Sequence, residues 1–593
     1  MFSRIKASIA SIYVAFLGRP SVWILGVLAR SQLSGNPVVR GVGYFPFQLA
    51  DTVLGFGALR FIAHVSRREP KRKHRARINN PTLRSYLYLA VGKADKGLAT
   101  QLQPTTFRKA LSGEKFDPEA QYALAHQLFQ AGKLPLACEA FEDLIEHSSD
   151  KFSLERRLQL LRDAGITFFM LGKIERANHY WRKAGELRRF ILGEESGPIY
   201  RIVGSSWFAA IGHVAMLDFY AKYNKLYREA GVRVVAQTDI SGVPGNYLCE
   251  RLSEAGIEFI ENGKLQPDYD RWAKRHGKRR WSQLTSAERF AIIDDFWEFE
   301  FPDGEVWGYT HAADKIQKEW ERQQRPPVLS VTDGERKFID RALSLLGLPE
   351  GAWYVCLHVR EPGFHKGWNT LYPSMRDANI DDYLPAIDLI VKNGGWVIRM
   401  GDPSMKPLPP IPGVIDYAHN TLKTPRADIL IPLGCRFFLG TNSGFATIPA
   451  IYGVRCVFSN WLPIGLPLWP SQDLMLPKLF WDEKRGRHLT IEEIFASGVA
   501  FIQNWSDLPE GILLRDNTAE DICNLTAEAL GMSSELPEEG LADVRSHYLQ
   551  VAEQHGSYVG STLAASAIRQ YRSIFNPETG AAIIDDSANH DSR

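Results

Sequence analysis

At 593 residues the chain exceeds what one hydrophobic core supports, so roughly three or four units are expected. Hydrophobic residues make up 45% and charged residues 23%, an ordinary globular balance, and a net charge of only +2 excludes the molecule-wide positive field of a nucleic-acid binder. Cys138, Cys249, Cys356, Cys435, Cys456 and Cys523 stand far apart without a CxxC or zinc-type spacing, so neither a bound metal nor a disulfide framework is expected, and a reducing cytoplasm is.

Residues 1–104 are read as a basic and apolar membrane-associating region. The apolar runs Ile5–Leu17 and Ser21–Ala29 are divided by Arg19 and Pro20, and neither reaches the ~20 residues of a spanning helix. A third run, Gly41–Val65, carries Asp51 and Arg60 and leads into the cationic block RREPKRKHRAR at 67–77. Such a pattern suits peripheral attachment to an anionic leaflet, the inner-membrane surface; a buried helix pair with a solvated linker is the alternative. No small-residue cleavage site follows the first run, so a signal peptide is not expected.

Residues 105–192 read as helical. The segments beginning at Gln127 and Ile166 match at an offset of forty: Lys133 with Lys173, Ala137 with Ala177, Phe141 with Trp181. A small residue followed one turn later by an aromatic suits close helical pairing, resembling tetratricopeptide hairpins. They are expected to hold the next domain or a protein partner and to carry no chemistry.

Over 193–330 the runs IYRIV (Ile199–Val203), VRVVAQ (Val232–Gln237) and IEFI (Ile257–Ile260) alternate with helical text, a βαβ series. Residues 267–327 look helical, Trp-rich and charged. Over 331–540 a second series follows: WYVCLHV, WVIRM, GVIDY, FFLG and VRCVFS. The expected fold class is therefore α/β: two Rossmann-like domains preceded by an α-helical tetratricopeptide-like region, with ligands at the carboxyl ends of the strands. Residues 541–593 are expected to form one helix to about Phe575 and a disordered tail.

Two stretches carry chemistry. In CLHVREPGFHKGWNTLYPSMRDANI, an apolar strand delivers His358 and Arg360 at its carboxyl end, both on one side of the strand. A guanidinium there suits a diphosphate because its planar fork bonds two oxygens, and Arg376 adds a second cation; the alternative is that Arg360 only pairs with a carboxylate. In FFLGTNSGFATIPAIYG, a strand ends at Gly440 and a helix begins near Gly444, with Thr441, Asn442 and Ser443 in the turn. Asn442 or Ser443 can cap that helix, and its first amides favour an anion. Arg399, Asp416, Tyr417 and Asp428 are weaker donor-site candidates, with an ion pair or a cap as the alternative for Arg399 and Asp428. A base for an acceptor hydroxyl comes from the opposite domain: His213 first, Asp239 second, with His213 as an ordinary helix-start residue the alternative. The only D-x-D, Asp268–Asp270, is not assigned a metal, and WAKRHGKRRW at 272–281 reads as a solvated helix face rather than a nucleic-acid surface.

These motifs resemble a family of bacterial glycosyltransferases that shares HVRE (His358–Glu361), RD-x-x-I-x-x-Y (Arg376, Asp377, Ile380, Tyr383), GG-x-V-I-R-M-GD (Gly394–Asp402), DYA (Asp416–Ala418) and F-x-x-G-T-x-S-G (Phe437–Gly444). The likeness covers residues 195–500. HVR is also similar to the HxR motif of fucosyltransferase-like GT-B enzymes, in which an arginine holds the donor diphosphate, with Glu361 here where a second arginine is usual. The resemblance implies a GT-B-like, metal-independent glycosyltransferase with Arg360 on the diphosphate. A nucleotide-sugar would be co-substrate, no cofactor would be needed, and the acceptor would be a surface glycan, glycolipid or protein. The alternatives are a non-catalytic scaffold of a polysaccharide-assembly complex and an enzyme of nucleotide-sugar metabolism.

Overall fold

The structure is a computed structural model that describes residues 118–575 apart from 131–132, 194–197, 209, 238–245, 262, 295–297, 363–373, 533–537 and 558–559. The membrane-associating segment expected within 1–104 and the tail after Phe575 lie outside the described residues. Among the described residues no helix is long and apolar enough to cross a membrane.

The chain divides into two compact units, one ending at Phe152 and one beginning at Ser153. In the first, α1 (Pro118–Gln130) and α2 (Leu134–His147) bury Ala137, Phe141 and Leu144, and Tyr122 meets Phe141 edge to face at 6.2 Å. The second unit opens with α3 (Leu154–Met170), capped by the Ser153 hydroxyl, and α4 (Ile174–Leu192). Lys133 and Lys173 adopt nearly the same backbone angles at the starts of α2 and α4, so the matched segments share a turn geometry. The α/β body thus starts inside the stretch read as a separate helical region, and the physical reason is α4. Its Trp181, fully buried, fills the space over Gly308, whose N–H donates to Asn178 Oδ1 at 3.3 Å.

The first sheet contains β1 (Tyr200–Val203), β2 (Arg233–Gln237), β3 (Glu258–Ile260) and β4 (Ile293–Asp294), all parallel, in the order β3-β2-β1-β4. Residues 267–327 are not simply helical. They contribute β4 and an antiparallel hairpin of β5 (Glu298–Glu300) and β6 (Val306–Gly308) before the helix Tyr309–Arg322. The charged text hid the hairpin because its glutamates are buried: Glu298 meets Arg162 and Arg188, and Glu300 meets Arg188 and Arg201.

The second sheet is built from β7 (Tyr354–His358), β8 (Trp396–Arg399), β9 (Val414–Asp416), β10 (Phe438–Gly440), β11 (Cys456–Trp461) and β12 (Leu474–Pro477). An antiparallel sheet of β13 (Leu479–Asp482), β14 (Arg487–His488) and β15 (Ile512–Arg515) follows, and β16 (Thr562–Leu563) then joins the large sheet beside β12. The stretch from Leu541 is therefore not one helix: the helix Glu538–Gln554 ends, and the chain returns as a strand. The seven-stranded order β16-β12-β11-β10-β7-β8-β9 is parallel throughout, and its strands read as unbroken apolar runs because helices cover both faces. Counted from β7, its first six strands lie 3-2-1-4-5-6, so the chain reverses direction between β7 and β10. That is where a doubly wound sheet opens a crevice at its carboxyl edge. The first sheet, 3-2-1-4, reverses between β1 and β4 in the same way.

Candidate functional site

The carboxyl ends of β7 and β10 are tied together. His358 and Gly440 are register partners, and Gly440 is required because a side chain there would run into the His358 carbonyl. Thr441, fully buried, donates its N–H to the His358 carbonyl at 3.1 Å and accepts the Arg360 N–H on its hydroxyl at 2.9 Å. Ser443 accepts the Ala446 N–H at 3.3 Å as the cap of the turn Gly444–Ala446, which continues as the helix Thr447–Ile451. The same hydroxyl lies 3.3 Å from His358 Nδ1. Asn442 donates to the Leu462 carbonyl at 2.6 Å, so its amide anchors the turn and Ser443 does the capping. His358 is buried against Phe445, and its pKa is pushed down to about 4 by that burial and then by Arg399 and Arg360. The ring is therefore neutral at physiological pH.

Arg376 stands next to Asp377, which is tied directly to Arg360. Arg360 Nε donates to Asp377 Oδ1 at 3.0 Å, the Ala378 N–H donates to the Arg360 carbonyl at 3.0 Å, and Asp377 Oδ2 accepts the Ser374 N–H at 2.8 Å. Arg376 is pushed down to about 10, chiefly by burial and then by repulsion from Arg360, with Asp377 and Tyr309 opposing. It remains a cation. Tyr309, the first residue of the helix Tyr309–Arg322 that follows the β5–β6 hairpin, is near enough for Arg376 to act on its phenol. Arg360 thus pairs with the Asp377 carboxylate, and Arg376 next to it adds a second positive charge.

Four weaker candidates are engaged elsewhere. Arg399 has no exposed surface and bridges Glu361 (3.1 Å) and Asp416 (3.2 Å). Asp416 also accepts the Leu408 N–H at 3.0 Å. Tyr417 is fully buried, with its hydroxyl accepting the Thr424 N–H at 3.2 Å, and Asp428 pairs with Lys423 at 2.5 Å. Together Glu361, Arg399 and Asp416 join the ends of β7, β8 and β9. Asp268 of the D-x-D is likewise engaged, by Tyr200, Arg233 and Arg271.

From the first domain, the short helix Ile211–Ala215 follows β1 and brings Gly212 directly against Gly444: a Cβ on Gly212 would lie 2.5 Å from the Gly444 Cα. His213 is the next residue in that helix, one position from the Gly212–Gly444 contact. Asp239 falls in 238–245, outside the described residues.

Sequence reasoning did not single out Gly212, Tyr309 or Lys478, and it placed Asp377 only within a motif. Lys478 had a usable signal: a lone cation in the apolar run LMLPKLF must find partners when buried. Gly212 and Tyr309 had none, since their importance comes from the other domain.

No family model matches the chain, and no curated protein matches it. Among solved structures it is similar to the glycosyl transferase family 9 protein of Veillonella parvula DSM 2008, at 11% identity over 44% of this chain and 80% of that one, with a TM-score of 0.26. It is also similar to ADP-heptose lps heptosyltransferase II of E. coli, at 12% identity over 44% and 84%, again with a TM-score of 0.26.

Proposed function

We propose that this chain is a GT-B-like glycosyltransferase that takes a sugar from a nucleotide-sugar held at the β7/β10 switch point. The acceptor, a glycan, glycolipid or protein, enters from the first domain. The observation that carries the reading is the convergence of Arg360 and the Thr441–Gly444 corner, linked through the Arg360 N–H and the Thr441 hydroxyl. Breaking the bond from the sugar C1 to the diphosphate leaves charge on phosphate oxygens. The fork of Arg360, the cation of Arg376 and the amides after Ser443 can neutralise that charge without a metal. His358 is neutral, so it serves as a hydrogen-bonding group there and not as a counter-ion. Thr441, Asn442 and Ser443 hold the corner, and Gly444 offers its backbone N–H to the phosphate. Arg399, with Asp416, is assigned to holding the strand ends, and Tyr417 and Asp428 to the wall behind them. The acceptor hydroxyl gives its proton to His213, with Asp239 as the second candidate, while its oxygen bonds to C1.

The test is a binding and transfer screen of UDP-, GDP-, ADP- and CMP-sugars by calorimetry and product analysis, on the wild type and on Arg360→Ala. One donor class should bind and be turned over in the presence of acceptor, with both lost in the variant. Binding that ignores Arg360 sinks the assignment. Turnover without any acceptor would favour nucleotide-sugar metabolism, and partner capture that depends on 118–192 alone would favour a scaffold.

A further inference from the structure

Lys478 connects β12 to β13 and is 2% exposed. Its ammonium donates to the Asp377 carbonyl at 2.7 Å and to Asp516 Oδ1 at 2.6 Å, and its backbone N–H donates to the Trp461 carbonyl at 3.1 Å. Asp377 is thereby held on every side: its carboxylate by Arg360 and the Ser374 N–H, its own N–H by the Ser374 carbonyl, and its carbonyl by Lys478. Taking an ammonium out of water costs several kcal/mol, and a methionine of similar length would fill the space without that penalty. That cost is offset by the Asp516 pair and by the bond that holds the Asp377 carbonyl in place. Asp516, 42% exposed just after β15, pairs with the ammonium from the solvent side.

We propose that Lys478 is a positioning residue for the donor site, acting through Asp377 to fix the Arg360 guanidinium. The inference rests on the nucleotide-sugar reading of that site. The antiparallel sheet β14-β13-β15 then has a definite task, because one end of it presents Lys478 before β13 and Asp516 after the paired β15. Asn517, next to Asp516, exchanges hydrogen bonds with Asn460 at the end of β11, which locks that sheet to the large one.

The test is a double-mutant cycle read as dissociation constants for UDP, GDP and ADP, using wild type, Lys478→Met, Arg360→Ala and the pair. Lys478→Met should weaken the preferred diphosphate about tenfold in the wild-type background. It should have no further effect once Arg360 is alanine, because there is no guanidinium left to position. Lys478→Gln, which keeps an N–H donor without the charge, should lose less; it also replaces Lys478→Met in the cycle if that variant does not fold. Equal weakening in both backgrounds, or none in either, overturns the positioning role while leaving the donor site standing. A wild type that binds none of the three, or an Arg360→Ala that binds as wild type does, removes the donor site itself and this role with it.

Discussion

Gly212, after β1 of the first sheet, and Gly444, after β10 of the second, meet backbone to backbone: a Cβ on Gly212 would lie 2.5 Å from the Gly444 Cα, and one on Gly444 a tight 3.1 Å from the Gly212 Cα. A main-chain atom cannot rotate away, so a methyl group on Gly212 must displace one of the two backbones. Inside a helix, alanine is otherwise preferred over glycine by about 1 kcal/mol, so Gly212→Ala isolates the contact from local propensity. If Arg360 and the second sheet hold the donor and His213 is the base, as proposed, the variant should keep its affinity for the donor nucleotide and lose on the order of 100-fold in transfer rate. Steady-state kinetics beside calorimetry separate the two, and unchanged turnover would mean that transfer does not depend on this contact.

Arg376 sits where burial and Arg360 both oppose its charge, and only a guanidinium keeps its proton comfortably there. In Arg376→Lys the same two influences act on an amine whose ordinary pKa is about 10.4, moving its ionisation down toward neutrality. The wild type should bind the donor diphosphate equally at pH 7 and pH 9. The variant should bind progressively more weakly as pH rises, because the lysine loses the charge the phosphate needs. Parallel calorimetric titrations at the two pH values decide it; a flat profile in the variant places Arg376 away from the phosphate.

What could be read from the chain and what could not divides along the range of the interactions. β7 and β10 declare themselves through apolar runs that end in Arg and Gly, and the capping by Ser443 follows from a turn of four residues. The partner of Arg399 does not, because Glu361 stands 38 positions away and only the adjacency of β7 and β8 brings the two together. The hairpin of Glu298 and Glu300 was invisible for a related reason. Alternating charge reads as a solvated face until three arginines from α3, α4 and β1 arrive to bury it. β16 has only two residues and is a strand because β12 offers it an edge.

His358 and His311 should make the protein less stable in mild acid. Burial, with Arg399 and Arg360, pushes His358 down to about 4; burial does the same to His311 against the opposing bond from its Nε2 to the Gly556 carbonyl, at 2.6 Å. Both folded values lie below the ordinary 6.5, so between about pH 4 and pH 6.5 the unfolded chain binds more protons than the folded one. Stability is complete above 6.5 and falls as pH drops through that window, by roughly 2 kcal/mol for His358 at pH 5 and less for the more exposed His311. Urea midpoints at pH 7 and pH 5 measure it, and His358→Gln should flatten the difference. An unchanged slope in that variant would show that His358 carries no part of it.

Glu298 is the centre of the bond between α3, α4 and the first sheet. It has no exposed surface and accepts Arg162 Nε at 2.6 Å and Arg188 Nη1 at 3.2 Å, while Glu300 takes Arg188 and Arg201. Removing one partner of a buried ion pair leaves the other charge uncompensated in a poorly polarisable interior, which costs about 3–5 kcal/mol. Glu298→Gln keeps the shape and deletes the charge, so its whole effect is electrostatic. Since α3 and α4 belong to the α/β body, the loss should appear as a lower urea midpoint for the entire body, together with faster proteolysis within 154–192. If the helices were an appended module, the variant would instead release them at low urea while the sheets unfolded at the wild-type midpoint, and two transitions would replace one.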